Sequence, residues 1–290
     1  MKVYYFLFFL LLFVFCCTQQ KTKSNRTSYF EDGNIKEKWI YDSVIFDSIS
    51  KNINIGYLKS KKIDSTRLEY FQKPNNKLKK IDFYFDNETY FIEVYDSGKI
   101  KVEGLLKNGL RVGKWKKYAI NGITYISELR IINGKSFVNQ GWAINKDKDT
   151  IGGYSYDILY KDTIKLNETL KVLVYLQNSW YKNKKTKIMA CISASDTIDF
   201  NEDFSNSDEF NKACSYDIET NKVNEKFINV GNYNRASFIH KDFKSPGKKL
   251  VRGIIYEYLV KEKDSLGLDK ALENAHKMYF EIPVFVKDSI

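Results

Sequence analysis

Residues 95–142 read YDSGKIKVEGLLKNGLRVGKWKKYAINGITYISELRIINGKSFVNQGW, with turn signals at Asp96-Ser97-Gly98, Asn108-Gly109, Asn121-Gly122 and Asn133-Gly134. The turn glycines therefore recur every 11 to 13 residues. Asn-Gly accepts positive φ at both central positions of a tight turn, and the resulting twist matches that of the flanking strands. Each pair thus predicts a hairpin, and the series predicts an up-and-down antiparallel sheet. Between the turns, Ile100, Val102, Gly104 and Leu106 share one face by period-two spacing, and Tyr125, Ser127, Leu129 and Ile131 do the same. A repeat of this kind builds a scaffold.

The order Tyr95-x-x-Gly98, then Asn108-Gly109-x-x-x-Gly113-x-Trp115-x-x-Tyr118, then Asn121-Gly122 resembles the MORN-type repeat of many bacterial proteins. The next unit departs from it, because Gly141-Trp142 follows Asn133-Gly134 at a longer spacing. Fainter echoes stand at Tyr29-x-x-x-Gly33 and Trp39-x-Tyr41. The resemblance implies that glycines set turns and close strand approaches while aromatics pack sheet against sheet. It also implies binding or scaffolding rather than a reaction.

Toward the N-terminus, Lys2 precedes an apolar run from Val3 to Phe15, and Cys16-Cys17 opens a polar stretch. A stable membrane span needs about 20 apolar residues, so this run reads as a signal peptide, residues 1–16. Its end resembles a bacterial lipobox, with Cys17 the lipidation site, Val14 at −3 and Cys16 at −1. More than one acyl chain gives stable anchoring. Thr18 stands where an Asp would favour inner-membrane retention, so the outer membrane, facing the periplasm, is expected. From Thr18 to Ser28 no aromatic or aliphatic residue occurs, and residues 17–28 read as a flexible tether. A MORN-like β-repeat domain is then expected over 29–148. Within it, hairpins are expected about Asp32-Gly33 and Pro74-Asn75-Asn76.

A charged break at Lys146-Asp147-Lys148-Asp149, followed by Gly152-Gly153, marks the predicted start of a second domain, 149–290. There Leu170, Val172, Val174 and Leu176 alternate, as do Ile254, Tyr256, Tyr258 and Val260, and Phe280, Ile282, Val284 and Val286. With the strand-like runs between them, these predict a β-sandwich. Pro283 lacks an N–H, so its position must face away from the ladder or lie at an edge. One short helix is indicated by Leu268, Ala271, Leu272, Ala275 and Met278, with Ser265 as its cap. The expected fold class is all-β: an antiparallel MORN-like repeat sheet followed by a C-terminal β-sandwich-like domain, with at most one short helix. A length of 290 residues suits two domains, and 21 Tyr with 20 Phe supply an ample core.

Catalytic chemistry is not legible. His240 and His276 are the two histidines, and neither has a ligand-type neighbour at metal-binding spacing. No nucleophile elbow, P-loop or dinucleotide-binding fingerprint occurs. No catalytic residue, metal or cofactor is expected. Asp199, Asn201 and Asp203 match the first three ligand positions of a calcium loop, but Phe204 stands where Gly is needed and Phe210 where the bidentate Glu belongs. The stretch from Asp196 to Glu209 therefore reads as a solvated linker. Cys191 and Cys214 could form a disulfide in an oxidising compartment, though a buried strand position would suit Cys191 equally well.

The charge is +11 in all and unevenly placed. Residues 17–150 hold 25 Lys and Arg against 16 Asp and Glu, whereas residues 151–290 hold 21 against 20. Lys107, Arg111, Lys114, Lys116 and Lys117 surround Trp115 and Tyr118, mixing cations with flat rings as a surface binding site would. Export argues against nucleic acid as the ligand. The function expected is a membrane-anchored exported lipoprotein acting as a non-enzymatic binding or scaffolding module for an envelope protein, glycan or anionic surface. The alternative is an enzyme or solute-binding protein with its site at the junction of the two domains.

Overall fold

A computed structural model describes residues 25–41, 63–70, 77–195, 198–215 and 235–288. Cys17, the expected signal peptide, the expected tether up to residue 24 and the hairpin expected about Pro74-Asn75-Asn76 lie outside the described residues. The described chain is all-β, with a large antiparallel sheet, a second sheet and two short helices. It divides into two compact units, Met1–Asp86 with Asp96–Gly98, and Asn87–Tyr95 with Lys99–Ile290.

In the first unit β1 (Arg26–Tyr29), β2 (Ile35–Ile40), β3 (Ser65–Tyr70) and β4 (Leu78–Phe85) pair in sequence order, each antiparallel to the last. Gly33, at φ 82°, closes the first hairpin. Ile40, Leu68, Ile81, Phe83 and Phe85 are buried. Trp39 stacks on Tyr84 at 5.3 Å, and Arg67 ties Glu37 (2.7 Å) to the buried Asp82 (3.8 Å) across three strands.

The second unit carries the repeat. β5 (Glu88–Val94), β6 (Ile100–Lys107), β7 (Leu110–Tyr118), β8 (Thr124–Ile132), β9 (Lys135–Ile144) and β10 (Thr150–Tyr160) form consecutive antiparallel hairpins. Two of the Asn-Gly turns have positive φ at both residues, 51° and 79° at Asn108-Gly109 and 48° and 71° at Asn133-Gly134. At Asn121-Gly122 only the glycine is left-handed, at 86°. There Gly122 N donates to Ala119 O and the Asn121 carboxamide oxygen accepts from Ile123 N, a longer turn built from the same residue pair.

The strand pairing runs straight through the Lys146–Asp149 stretch where a boundary was expected. Residues 150–154 of β10 pair with β9, and residues 155–160 pair with β12 (Leu170–Asn178), which in turn pairs with β15 (Ala236–Lys241). Gly153 permits the change of partner, since a Cβ there would meet Gly141 O at 2.2 Å and the Cα of Trp142 at 2.4 Å. The charged residues and glycines are a hairpin turn and a close approach within one sheet.

The second sheet has the order β11 (Thr163–Lys165), β17 (His276–Lys287), β16 (Gly247–Leu259), β13 (Thr186–Ser193), β14 (Lys212–Cys214), antiparallel except for β11 against β17. It packs on β10, β12 and β15 through a core that includes Leu170, Val172, Val174, Ile188, Ile255, Phe280, Ile282 and Val284. Pro283 is accommodated because Phe285 N donates to Asp162 O, so the 283 position faces the same side, ahead of the point where β11 begins to pair. Cys191 and Cys214 oppose each other across β13 and β14 and are joined, S–S 2.06 Å.

Three local expectations change. The helical spacing resolves into α1 (Val260–Leu266) and α2 (Leu268–Glu273), broken at Gly267. Ser265 lies inside α1, and Met278 belongs to β17. In β16 the residues that enter the sandwich core are Val251 and Ile255, whereas Ile254 and Tyr256 face a second cluster. That cluster explains the third change. The loop carrying Asp199, Asn201 and Asp203 is no solvated linker, because Phe200 and Phe204 are 2% and 1% exposed and pack with Ile132, Ile254 and Tyr279.

Candidate functional site

The seven residues Lys107, Arg111, Lys114, Trp115, Lys116, Lys117 and Tyr118 do not share one surface. Trp115 is 6% exposed, its indole N–H donates to Leu105 O at 3.0 Å, and its ring covers Gly104, where a Cβ would lie 2.2 Å from it. Arg111 lies over the outer side of that ring at 4.5 Å. Tyr118 donates to the buried Glu103 at 2.6 Å, burial and then this bond raising the phenol's pKa, and Lys116 approaches the same carboxylate at 3.6 Å. Lys107 pairs with Glu202 at 2.9 Å, and Lys114 reaches toward Trp142 at 5.9 Å. The aromatic rings hold the sheet together, and nearby carboxylates answer several of the cations. A cleft of about 920 Å³ beside them is mixed in the same way, its Lys107, Lys114 and Arg130 facing Glu128, Glu202 and Glu281.

A second cleft, of about 530 Å³, has a different character. One wall is Ile151-Gly152-Gly153 of β10, the other the turn between β12 and β13, and Arg235 closes it just ahead of β15. Lys182, Lys184, Lys185 and Arg235 line it, no carboxylate does, and none of the four is ion-paired among the described residues. Arg235 Nε is buried without a hydrogen-bond partner. Asn178, Ser179, Asn183 and Thr186 add neutral polar groups.

The turn that carries the lysines is fixed from behind. Glu257, fully buried on β16, accepts from the Ser179 hydroxyl and from Trp180 N at 2.9 Å. The Tyr181 hydroxyl donates to Asn274 O at 3.1 Å, beyond α2. Asn183 takes φ 58°, which an Asn tolerates better than most residues, and so lets the turn close. The Trp180 ring stacks on His276 at 4.3 Å with 7° between planes, and Tyr154, next to Gly153, meets both rings edge-on. Burial pushes the His276 pKa down to about 4, so the imidazole in this stack is neutral at physiological pH. Trp180 nevertheless remains 49% exposed.

Of the other residues singled out, Asp199 and Asp203 serve their own turn: Asp199 accepts from Phe200 N and Asp203 from Ser205 N. No group of His, Cys, Asp and Glu suited to a metal occurs among the described residues. His240 is exposed on β15. The run Trp180-Tyr181-Lys182-Asn183-Lys184-Lys185 mixes rings and cations just as Lys114-Trp115-Lys116-Lys117 does. It lay hidden in the half of the chain whose charges nearly cancel. Compared with protein-family models, curated proteins and solved structures, the chain matches none.

Proposed function

We propose that the protein is an exported lipoprotein, anchored in the outer membrane through Cys17, that acts as a non-enzymatic binding module for an anionic component of the cell envelope. The MORN-like sheet is its scaffold, and the cleft between β10 and the β12–β13 turn is its binding site. The observation that carries the reading is the charge of that cleft, four cations with no lining carboxylate and no ion pair among the described residues. Cations held near one another repel, and a site that keeps them so without counter-charge is complementary to an anionic ligand. The short apolar run before Cys16-Cys17 supports the anchored, exported setting.

Two measurements test it. Cys17→Ser is expected to abolish lipid labelling and membrane fractionation, and continued acylation of that variant would overturn the anchor. On immobilised polyphosphate, the full chain in detergent should elute at lower salt after Lys182→Gln, Lys184→Gln and Lys185→Gln together. The equal charge change at Lys114, Lys116 and Lys117 should shift elution less. Equal shifts would mean that only net charge matters and would remove the cleft from the proposal.

A further inference from the structure

We infer that the cleft takes a short acidic peptide segment in extended conformation, its backbone added to the open edge of β10 and its carboxylates answered by Arg235 and the lysines. This rests on the assignment of the cleft as the binding site and adds the chemical class of its occupant. The strand pairing carries the inference. Residues 150–154 of β10 pair with β9 on one edge, and on the other edge β12 pairs only from Ser155, which stands opposite Asn178. There the chain leaves β12 for the turn toward β13. The residues on either side of this parting, Ile151, Gly152 and Gly153 against Asn178, Ser179 and Tyr181, all line the cleft. The cleft therefore stands where β12 would run if it continued along β10.

Strand residues direct their N–H and C=O groups alternately to the two edges, so this stretch offers donors and acceptors to a chain laid beside it. No strand among the described residues takes them up on the cleft side. Open edges are ordinarily blunted by a charge or a proline on the strand itself, and Ile151-Gly152-Gly153-Tyr154 has neither. Two consecutive glycines instead keep the wall bare, and a Cβ at Gly152 would meet no protein atom within 4 Å, so another backbone can come close. A small inorganic anion would answer the cations but not the edge carbonyls, whereas a peptide answers both, as in recognition by strand addition. The cations select which peptide. Lys182, Lys184 and Lys185 stand on the facing wall and Arg235 at the end, with no lining carboxylate to compete for them. Arg235 offers a planar fork to a carboxylate and the lysines offer point charges, while a basic segment would meet only like charge. The facing wall is held in advance, Trp180 N bonded to Glu257 and Val260 N donating to Lys185 O at 3.1 Å, which lowers the ordering cost of binding. An open volume of about 530 Å³ lies in the range of small-ligand sites and suits a short segment.

Titration calorimetry of the full chain in neutral detergent tests the assignment with end-blocked peptides of alternating Glu and Thr, the same peptide with Gln for Glu, and the Glu-Thr peptide N-methylated at every second amide in either register. The Glu-Thr peptide should bind one to one, and the Gln-Thr peptide at least about tenfold more weakly. N-methylation in one register should weaken binding about tenfold or more and in the other should leave most of it, because an added strand uses alternate amides. Amide hydrogen exchange over residues 152–154 should slow when the peptide binds. Arg235→Gln should weaken the Glu-Thr peptide about fivefold or more, whereas Lys114→Gln, Lys116→Gln and Lys117→Gln together should change it by less than about twofold. Unchanged thermal melting of each variant guards against a folding defect. Equal affinity for the Glu and Gln peptides, equal effects of the two methylation registers, or unaltered exchange at 152–154 would overturn the inference. Absence of peptide binding, with polyphosphate retention still lowered by the changes at Lys182, Lys184 and Lys185, would overturn it and leave the cleft an anion site. Absence of both would remove the cleft itself.

Discussion

Asn139 is fully buried, and its carboxamide acts as a backbone amide would. Its oxygen accepts from Tyr279 N at 2.6 Å and its nitrogen donates to Tyr279 O at 2.8 Å, joining β9 to β17 where no strand pairing links them. The Tyr156 hydroxyl bonds to the same carbonyl at 2.6 Å, so three side- and main-chain groups meet at one point between the sheets. Asn139→Leu would leave the Tyr279 N–H unpaired in the interior, a loss of about 1–3 kcal/mol. The expected result is a lower urea midpoint with an unchanged slope, and an unaltered midpoint would show that the pair is replaceable. Gly104 and Gly109 offer a contrast of causes. Gly104→Ala should disrupt the packing of Trp115, since the added carbon meets the ring at 2.2 Å, whereas Gly109→Val meets nothing but must hold φ near 79° at a cost of about 1–2 kcal/mol. Near-UV circular dichroism should change for the first variant more than for the second.

His276 brings a pH dependence at the same scale. Its folded pKa, about 4, lies below the ordinary value of 6.5, so the unfolded chain binds the proton more readily. Its contribution to stability is therefore complete above pH 6.5 and is lost as the pH falls from 6.5 toward 4. His276→Phe, which keeps a ring against Trp180, should flatten the melting temperature over that interval. A slope that stays the same would place the acid sensitivity elsewhere.

The loop between β13 and β14 is the element whose character the tertiary structure changes most. Its acidic residues make local turns, and its phenylalanines enter the core beside Ile132 and Tyr279. Arg252 fastens it by donating to Phe200 O at 3.1 Å while paired with Glu281 at 2.6 Å. Removing a buried aromatic side chain costs about 3–5 kcal/mol, so Phe204→Ala should destabilise the protein as a core mutation does and not as a loop mutation does. A change in melting temperature within the range of surface substitutions would contradict the plug. The Cys191–Cys214 bridge closes the same segment, with a sequence separation of 23. A bridge of that span restrains the unfolded chain by about 3 kcal/mol, and reduction under native conditions should lower the denaturant midpoint accordingly.

For the whole molecule, the distribution of charge along the chain and its distribution in space point to different places. The basic half, with 25 cations against 16 anions, places Lys101, Lys107, Lys116 and Arg130 against carboxylates. The near-neutral half brings Lys182, Lys184, Lys185 and Arg235 to one cleft with no lining carboxylate and no ion pair to any of them among the described residues. An attraction between exposed charges fades as the Debye length shortens, from about 10 Å at 0.1 M salt to about 3 Å at 1 M. Polyanion retention should therefore fall steeply with salt, and Arg235→Gln combined with the three lysine changes should remove most of the salt-sensitive part.

The period-two alternation of β12 and β17 and the glycines at 98, 109, 122 and 134 were legible because turn chemistry and strand period are local, settled by a residue and its near neighbours. By themselves they determined an all-β chain with a hairpin repeat and a sandwich. The tertiary structure alone decided that β10 pairs on both sides of Gly153 and so carries one sheet past the charged Lys146–Asp149 turn. It also decided which face of β16 enters the larger core, since β16 is buried on both faces and alternation cannot rank them. The cleft was illegible for a related reason. Whether a lysine is free or answered depends on which carboxylate the fold brings within a few ångströms, and Glu93, Glu103 and Glu202 reach their partners from neighbouring strands and a distant loop.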